Sequence, residues 1–306
     1  MIVTVCLNPC IDRNYYVDRA ALHALNRANR VTESLSGKGI NVAIAAARLG
    51  GKVCASGFMY SRDAARYSRR LHLEGAAEDF VTLEGSTRVN VKIIESGGEL
   101  TEFNERGARL EPGRLSELKH RLTALAQSAD AVVFSGSLPT GADADTYAYL
   151  AHGLDTLVAV DADGGALLGA LSVRPALLKP NAYELTSATG LPCSTPAEVG
   201  AACRALHQRC GARVLCSLGG GGAVYFDGSS VYAAAAPKVE VVSSVGAGDS
   251  MLAAAVLALC EGADSKELLE RAVAAGSAAC LTEGTGLVLK DDYLKLRSQV
   301  TAQQIK

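Results

Sequence analysis

Asp249 is the residue whose type and setting point most directly to chemistry. It stands in the run Ser243-Ser244-Val245-Gly246-Ala247-Gly248-Asp249-Ser250-Met251, where a glycine turn passes into an apolar, alanine-rich stretch. Gly246 and Gly248 leave room for an anion to approach the backbone and permit a positive φ where the turn needs one. The N–H groups of the first helical turn, with the positive end of the helix dipole, then face that anion. A carboxylate in this pocket is placed to take a proton from an attacking hydroxyl. The alternative is a glycine-assisted loop with Asp249 as an ordinary N-cap.

Three further runs carry polar groups at the ends of apolar segments. Ser36-Gly37-Lys38-Gly39-Ile40-Asn41 opens a helix with a flexible cation and an amide one turn in. It lacks the spacing of a P-loop, which disfavours a P-loop NTPase, and a plain glycine-rich helix start is the alternative. Ser135-Gly136-Ser137-Leu138-Pro139 follows the apolar run Ala131–Phe134 and is either a plain strand-ending turn or a hydroxyl placed where ligands collect in open parallel sheets. Lys179-Pro180-Asn181-Ala182-Tyr183-Glu184 puts an amide oxygen and a carboxylate three residues apart, which suits either Mg²⁺ or a helix-capping pair.

The elements that must position these groups read as alternating helices and buried strands. Ile2–Leu7, Val53–Phe58, Ala131–Ser135, Leu157–Asp161, Leu177–Lys179 and Arg213–Leu218 have strand character, with helical periodicity between them, as over Ile40–Leu49 and Ala197–Cys210. That order predicts an α/β fold with a mostly parallel sheet covered on both faces. Thr87–Glu95 alternates, and Gly97-Gly98 turns it into Leu100–Asn104, so this segment predicts a hairpin with one wet face outside the central sheet. We read residues 1–306 as one domain with a β lid built from insertions at about 12–36 and 86–106.

A composition that is 49% hydrophobic supports a sizeable core, and a net charge of −2 offers no footprint for nucleic acid or a membrane surface. The nine cysteines are scattered, with no C-x-x-C, and fit buried thiols in a reducing, cytoplasmic setting. The first residues lack a secretory pattern, and no apolar run is long enough to span a bilayer. A dinucleotide-binding oxidoreductase is disfavoured because no G-x-G-x-x-G follows the first strand.

Taken together, and in this order, Leu7–Asp12, Gly37–Ala43, Thr87–Lys92, Ser135–Pro139, Lys179–Leu185, Ser217–Ala223 and Val245–Met251 resemble the PfkB (ribokinase-like) sugar kinases. Within them the chain is similar to the phosphosugar branch that holds 1-phosphofructokinase and tagatose-6-phosphate kinase. The resemblance implies a three-layer ribokinase-like fold with a small β lid, and ATP-dependent phosphorylation of a ketohexose phosphate. Fructose 1-phosphate is the leading substrate and tagatose 6-phosphate the close rival. A non-catalytic phosphosugar sensor is the reading from another class, but Asp249 and its glycines are intact.

The resemblance also implies roles. Asp12 would bind sugar hydroxyls, with Gly37, Lys38, Gly39 and Asn41 along the sugar. Arg88, Ser137 and Arg27 would hold the phosphate already on the substrate; an arginine fork suits phosphate oxygens. ATP would lie along Ser217, Gly219, Gly220 and Gly222, with Gly276 and Ser277 at the adenine rim. Lys179 and Asn181 would reach its phosphates, and Glu184 with Asn181 would hold Mg²⁺. Gly246, Ala247 and Gly248 would donate N–H groups to the migrating phosphoryl group while Asp249 accepts the hydroxyl proton. Edges left open by the lid hairpin predict a homodimer through the lid.

Overall fold

The computed structural model describes residues 1–305. In chain order the elements are β1 (Ile2–Cys6), β2 (Cys10–Val17), β3 (Arg30–Ser36), α1 (Lys38–Arg48), β4 (Val53–Tyr60), α2 (Ala64–Leu73), β5 (Ala77–Leu83), β6 (Arg88–Glu95) and β7 (Leu100–Asn104). There follow α3 (Arg114–Ala126), β8 (Ala131–Ser135), α4 (Thr146–Ala151), β9 (Leu157–Asp161), α5 (Gly164–Ala170), β10 (Leu177–Leu178), α6 (Ala182–Thr189) and α7 (Pro196–Cys210). The last are β11 (Arg213–Ser217), β12 (Ala223–Phe226), β13 (Val231–Ala234), α8 (Ala247–Cys260), α9 (Ser265–Ala279), α10 (Lys290–Arg297) and β14 (Gln303–Ile305).

Ten strands form one sheet in the order β14-β13-β12-β11-β10-β9-β8-β1-β4-β5. The run from β11 to β5 is parallel, and β12, β13 and β14 add antiparallel pairings at one edge. Strict alternation in β1 sends Ile2 and Cys6 to one core and Val3 and Val5 to the other. The first core is closed by α1, α2, α8, α9 and α10, and the second by α3 to α7. This sandwich explains why the strands read as continuous apolar runs: both faces are covered.

Helix α8 is buried from Asp249 to Ala258, and small side chains let its neighbours come close. A Cβ on Gly276 of α9 would lie 3.3 Å from the Ala247 carbonyl oxygen. In helix α1, which packs against α8, a Cβ on Gly39 would meet the Val5 carbonyl. Gly39 is therefore glycine because α1 presses directly on the backbone of β1.

A separate four-stranded sheet, in the order β3-β2-β6-β7, stands over the carboxyl ends of the parallel strands. Its central pairing, β2 with β6, is parallel and joins Cys10–Val17 to Arg88–Glu95 over eight residues. The β6–β7 hairpin forms where the alternation indicated, but its polar face is the covered one: Asn90 and Lys92 are buried while Val89, Val91 and Ile93 are half-buried. The wet face expected from the alternation instead looks down into a cleft. Strands β5 and β14 and helices α5 and α10 were not anticipated by the sequence pattern.

Candidate active site

Polar groups end five adjacent strands. Asn8 follows β1, Ser135 ends β8, Asp161 ends β9, Lys179 follows β10 and Ser217 ends β11, and all line one cleft of about 380 Å³. Gly37, Lys38 and Asn41 enter it from the start of α1, and Gly246, Gly248 and Asp249 from the start of α8. The small sheet roofs it in ordered rows. Cys10 pairs with Arg88 and Asp12 with Asn90, while β7 sets Asn104 opposite Asn90 and Glu102 opposite Lys92.

A second cavity of about 610 Å³ is lined by Ser217, Gly219, Gly220, Gly222, Gly276 and Ser277, together with Met251, Val273 and the segment 236–241. The two cavities meet at Asn181, Ser217 and Gly248, which line both. A largely apolar slot suits a flat aromatic group. The charged cleft suits a hydroxylated anion, and Asp249 stands where the two join.

The turn before α8 is built for an anion. Gly246 is the N-cap in a left-handed conformation (φ 87°), and a Cβ there would sit 2.6 Å from the Gly286 carbonyl oxygen. The amides of Gly246, Gly248 and Asp249 find no acceptor among the described residues. Two expectations are corrected. The Ala247 N–H is not free, because it closes the turn onto the Ser244 carbonyl at 3.3 Å. Gly248 is helical rather than positive in φ, and a Cβ there would make only ordinary contact with Lys179 Nζ, at 3.4 Å.

Asp249 is buried and caps nothing. Asn41 Nδ2 donates to its Oδ2 at 2.8 Å and also to Ser36 Oγ at 3.2 Å, which fixes the carboxylate's orientation. Burial pushes the Asp249 carboxyl up to about 6, with Asp161 adding to the rise and Lys38, Asn41 and Lys179 opposing it. Such a group is ionised at neutral pH and still basic enough to take a proton as it is released.

Asp161 is 1% exposed and holds two ammonium groups, Lys38 Nζ at 3.3 Å from Oδ1 and Lys179 Nζ at 3.2 Å from Oδ2. Burial alone would raise its carboxyl, but Lys179 and Lys38 together outweigh that and hold it below the usual range. Lys38 is raised, chiefly by Asp161 and against desolvation.

On the roof, Asp12 accepts from Asn90 Nδ2 at 3.0 Å and from Thr285 Oγ1 at 2.8 Å, with Lys92 Nζ 3.7 Å away. Lys92 is also 3.5 Å from Glu102. Arg88 donates to Asn90 Oδ1, the Glu105 carbonyl and the Asn8 carbonyl, yet its buried Nε has no partner among the described residues. Asn8 Nδ2 donates to Ser137 Oγ at 3.2 Å, placing that hydroxyl beside the Arg88 fork. An arginine braced by three hydrogen bonds, with two of its five N–H groups left over, is a preformed anion clamp.

Of the metal-ligand alternatives at Asn181 and Glu184, the capping pair is the one formed. Asn181 Oδ1 accepts the Glu184 N–H and Glu184 Oε2 accepts the Asn181 N–H, each at 2.8 Å. Glu184 Oε1 is left without a protein donor among the described residues. No group of three or more His, Cys, Asp or Glu residues suited to holding a metal occurs among the described residues.

Two other expected contacts are absent. Arg27 lies in the exposed segment between β2 and β3 and does not line the cleft, and Gly39 faces β1 instead of the cleft. Asn8, Asn90, Lys92, Glu102 and Asp161 were missed. Asp161 and Lys179 did leave a signal: opposite charges ending two consecutive apolar strands.

The family profile described as pfkB family carbohydrate kinase matches residues 5–292. A 1-phosphofructokinase of Haloferax volcanii is 33% identical, over 100% of this chain and 99% of its own length. A tagatose-6-phosphate kinase of Staphylococcus epidermidis is 30% identical over 100% of both chains. Among solved structures, phosphofructokinase-2 from Escherichia coli in complex with substrates and products superposes with a TM-score of 0.91, at 32% identity, covering 97% of this chain and 98% of that one.

Proposed function

This chain belongs to the pfkB family of carbohydrate kinases, and from that premise we propose that it transfers the γ-phosphoryl group of ATP to fructose 1-phosphate, giving fructose 1,6-bisphosphate. The observation that carries the reading is the junction of the two cavities, where Asp249 meets the free amides of Gly246 and Gly248. Relatives named 1-phosphofructokinase that align over nearly the full chain support the substrate. Tagatose 6-phosphate is the second reading, favoured by the full-length match to a kinase of that sugar.

In this reading the sugar lies in the charged cleft with its phosphate against the Arg88 guanidinium and Ser137, and its hydroxyls against Asp12 and Asn90. The nucleotide takes the apolar slot along Ser217–Gly222, with Gly276 and Ser277 at its rim. Positioning and charge stabilisation do most of the work in phosphoryl transfer. The Gly246, Gly248 and Asp249 amides and the Lys38 and Lys179 ammonium groups offset charge on the moving group. Asp249 receives the hydroxyl proton as the new P–O bond forms. The roof excludes water that would otherwise hydrolyse ATP.

Mg²⁺ fits here only as a water-rich, phosphate-anchored ion, for which Glu184 offers the carboxylate oxygen that the capping pair leaves free. When bound it would neutralise phosphate charge. No helix is long and apolar enough to cross a membrane among the described residues, and nine unbridged thiols suit the reducing cytoplasm.

A homodimer through the roof is supported by its outer face, where Phe103 (59% exposed) and Val31 (50% exposed) leave apolar surface uncovered. Light scattering of the wild type and Phe103→Glu tests this: a dimer that the substitution dissociates is expected, and a wild-type monomer rejects it. The substrate is tested by ADP release on fructose 1-phosphate, tagatose 6-phosphate and fructose 6-phosphate. The highest kcat/KM is expected for fructose 1-phosphate; equal or higher values for another sugar displace it.

A further inference from the structure

We infer that Asp161 is a positioning residue that holds Lys38 and Lys179 on opposite sides of the cavity junction and keeps both ammonium groups off Asp249. The inference rests on the kinase reading for its purpose, but its geometry stands alone. Each oxygen of Asp161 takes one ammonium group, at 3.3 and 3.2 Å. Lys38 comes from the start of α1 on the sugar side. Lys179 comes from the segment leading to Asn181, which also borders the nucleotide cavity, and its Nζ sits against Gly248. One carboxylate at the end of β9 thus spaces two cations across the path between the cavities.

The Asp161–Lys179 pair is buried, and a buried ion pair is a poor way to gain stability, since desolvation offsets much of the attraction. Its place on the cleft floor, with the more exposed Lys38 lining the same cavity, points to function instead. The charged groups that face Asp249 are Lys38 from α1, Asp161 from β9 and Lys179 after β10. Helix α9, packed along α8, offers only Ala275–Ala279 there, which carry no charge. With Asp161 in place the ammonium groups have their own counter-ion, and Asp249 keeps its basicity. Without Asp161, Asp249 is the buried carboxylate left to pair with them, and a carboxylate so paired loses its affinity for a proton.

The experiment follows Asp249 directly, without substrate, in protein carrying ¹³Cγ-labelled aspartate. Its resonance is assigned by its loss in Asp249→Asn, and its titration is compared in wild type, Asp161→Asn and Lys38→Met. The midpoint is expected to fall by at least about one pH unit in Asp161→Asn and to rise in Lys38→Met, because that variant removes a cation instead of freeing one. Turnover in Asp161→Asn is expected to drop at least tenfold, with the acid limb of kcat displaced in the same direction as the resonance. A midpoint unmoved in Asp161→Asn, or moved the same way in both variants, overturns the inference. If Asp161→Asn does not fold, Lys38→Met decides alone, and a midpoint that fails to rise overturns it. Wild-type protein that titrates as expected but turns over no sugar phosphate would reject the kinase reading while leaving the clamp intact.

Discussion

Replacing Asp249 by asparagine should sharply reduce turnover and make the protein more stable. The native carboxyl titrates near 6, against 3.8 when unfolded, chiefly because burial disfavours its charge. That difference of about two pH units corresponds to about 3 kcal/mol of stability lost by keeping the group ionised in the folded state. The penalty is absent below the unfolded value, grows between pH 4 and 6 as the unfolded chain sheds its proton first, and is fully present above 6. Asparagine preserves the acceptor for Asn41 Nδ2 but sets an N–H toward Lys38 and Lys179, so we expect a net gain of roughly 1–3 kcal/mol. For a chain of 306 residues, unfolding entropy scales to about 0.6 kcal/mol per kelvin, which makes the gain roughly 2–5 °C in Tm. The assay is thermal unfolding of both proteins at pH 7.5 and pH 5, beside ADP release at pH 7.5. The gap in Tm should shrink by about half at pH 5, where the wild-type carboxyl is largely protonated, and kcat should fall by about 10²–10⁴-fold. A variant no more stable than wild type at pH 7.5, or one that keeps its turnover, would refute the reasoning.

Two other substitutions separate substrate recognition from architecture. Arg88→Met removes the anion clamp and should raise KM for the sugar phosphate by about 10–100-fold while KM for ATP stays within a factor of two or so, since a charged hydrogen bond contributes about 1.5–3 kcal/mol; equal rises in both KM values would place the arginine elsewhere. Gly246→Ala asks a Cβ to enter at φ 87° against the Gly286 carbonyl and should destabilise by roughly 1–3 kcal/mol. Denaturant unfolding measures this, and an unchanged midpoint would show that the turn is not held as described.

The central strands were legible because covered parallel strands are apolar throughout, whereas the residues proposed to bind the nucleotide came from the family resemblance. Strand β5 was hidden for the opposite reason: it is an edge strand whose Glu78 faces solvent, so its charges read as a loop. Helix α5 begins with Gly164-Gly165 and β14 is mostly glutamine, and neither composition favours the structure that tertiary packing imposes. Arg88 and Asp12 were found through motif order, whereas Lys92 and Glu102 become partners only through the β6–β7 register. The Ala247 amide shows the limit from the other side. A glycine turn in sequence indicates available N–H groups but not which of them the turn itself consumes.

The roof couples two distant stretches of chain through the parallel ladder between β2 and β6. Asp12 and Arg88 hang from opposite members of that ladder, so neither can swing without dragging the other. Under the proposed function, recognition of the sugar's hydroxyls and of its anionic end is therefore a single mechanical event. A ligand presenting only one of those features must hold down the whole panel with half the grip, which turns a modest difference in chemistry into a steep preference for molecules that carry both.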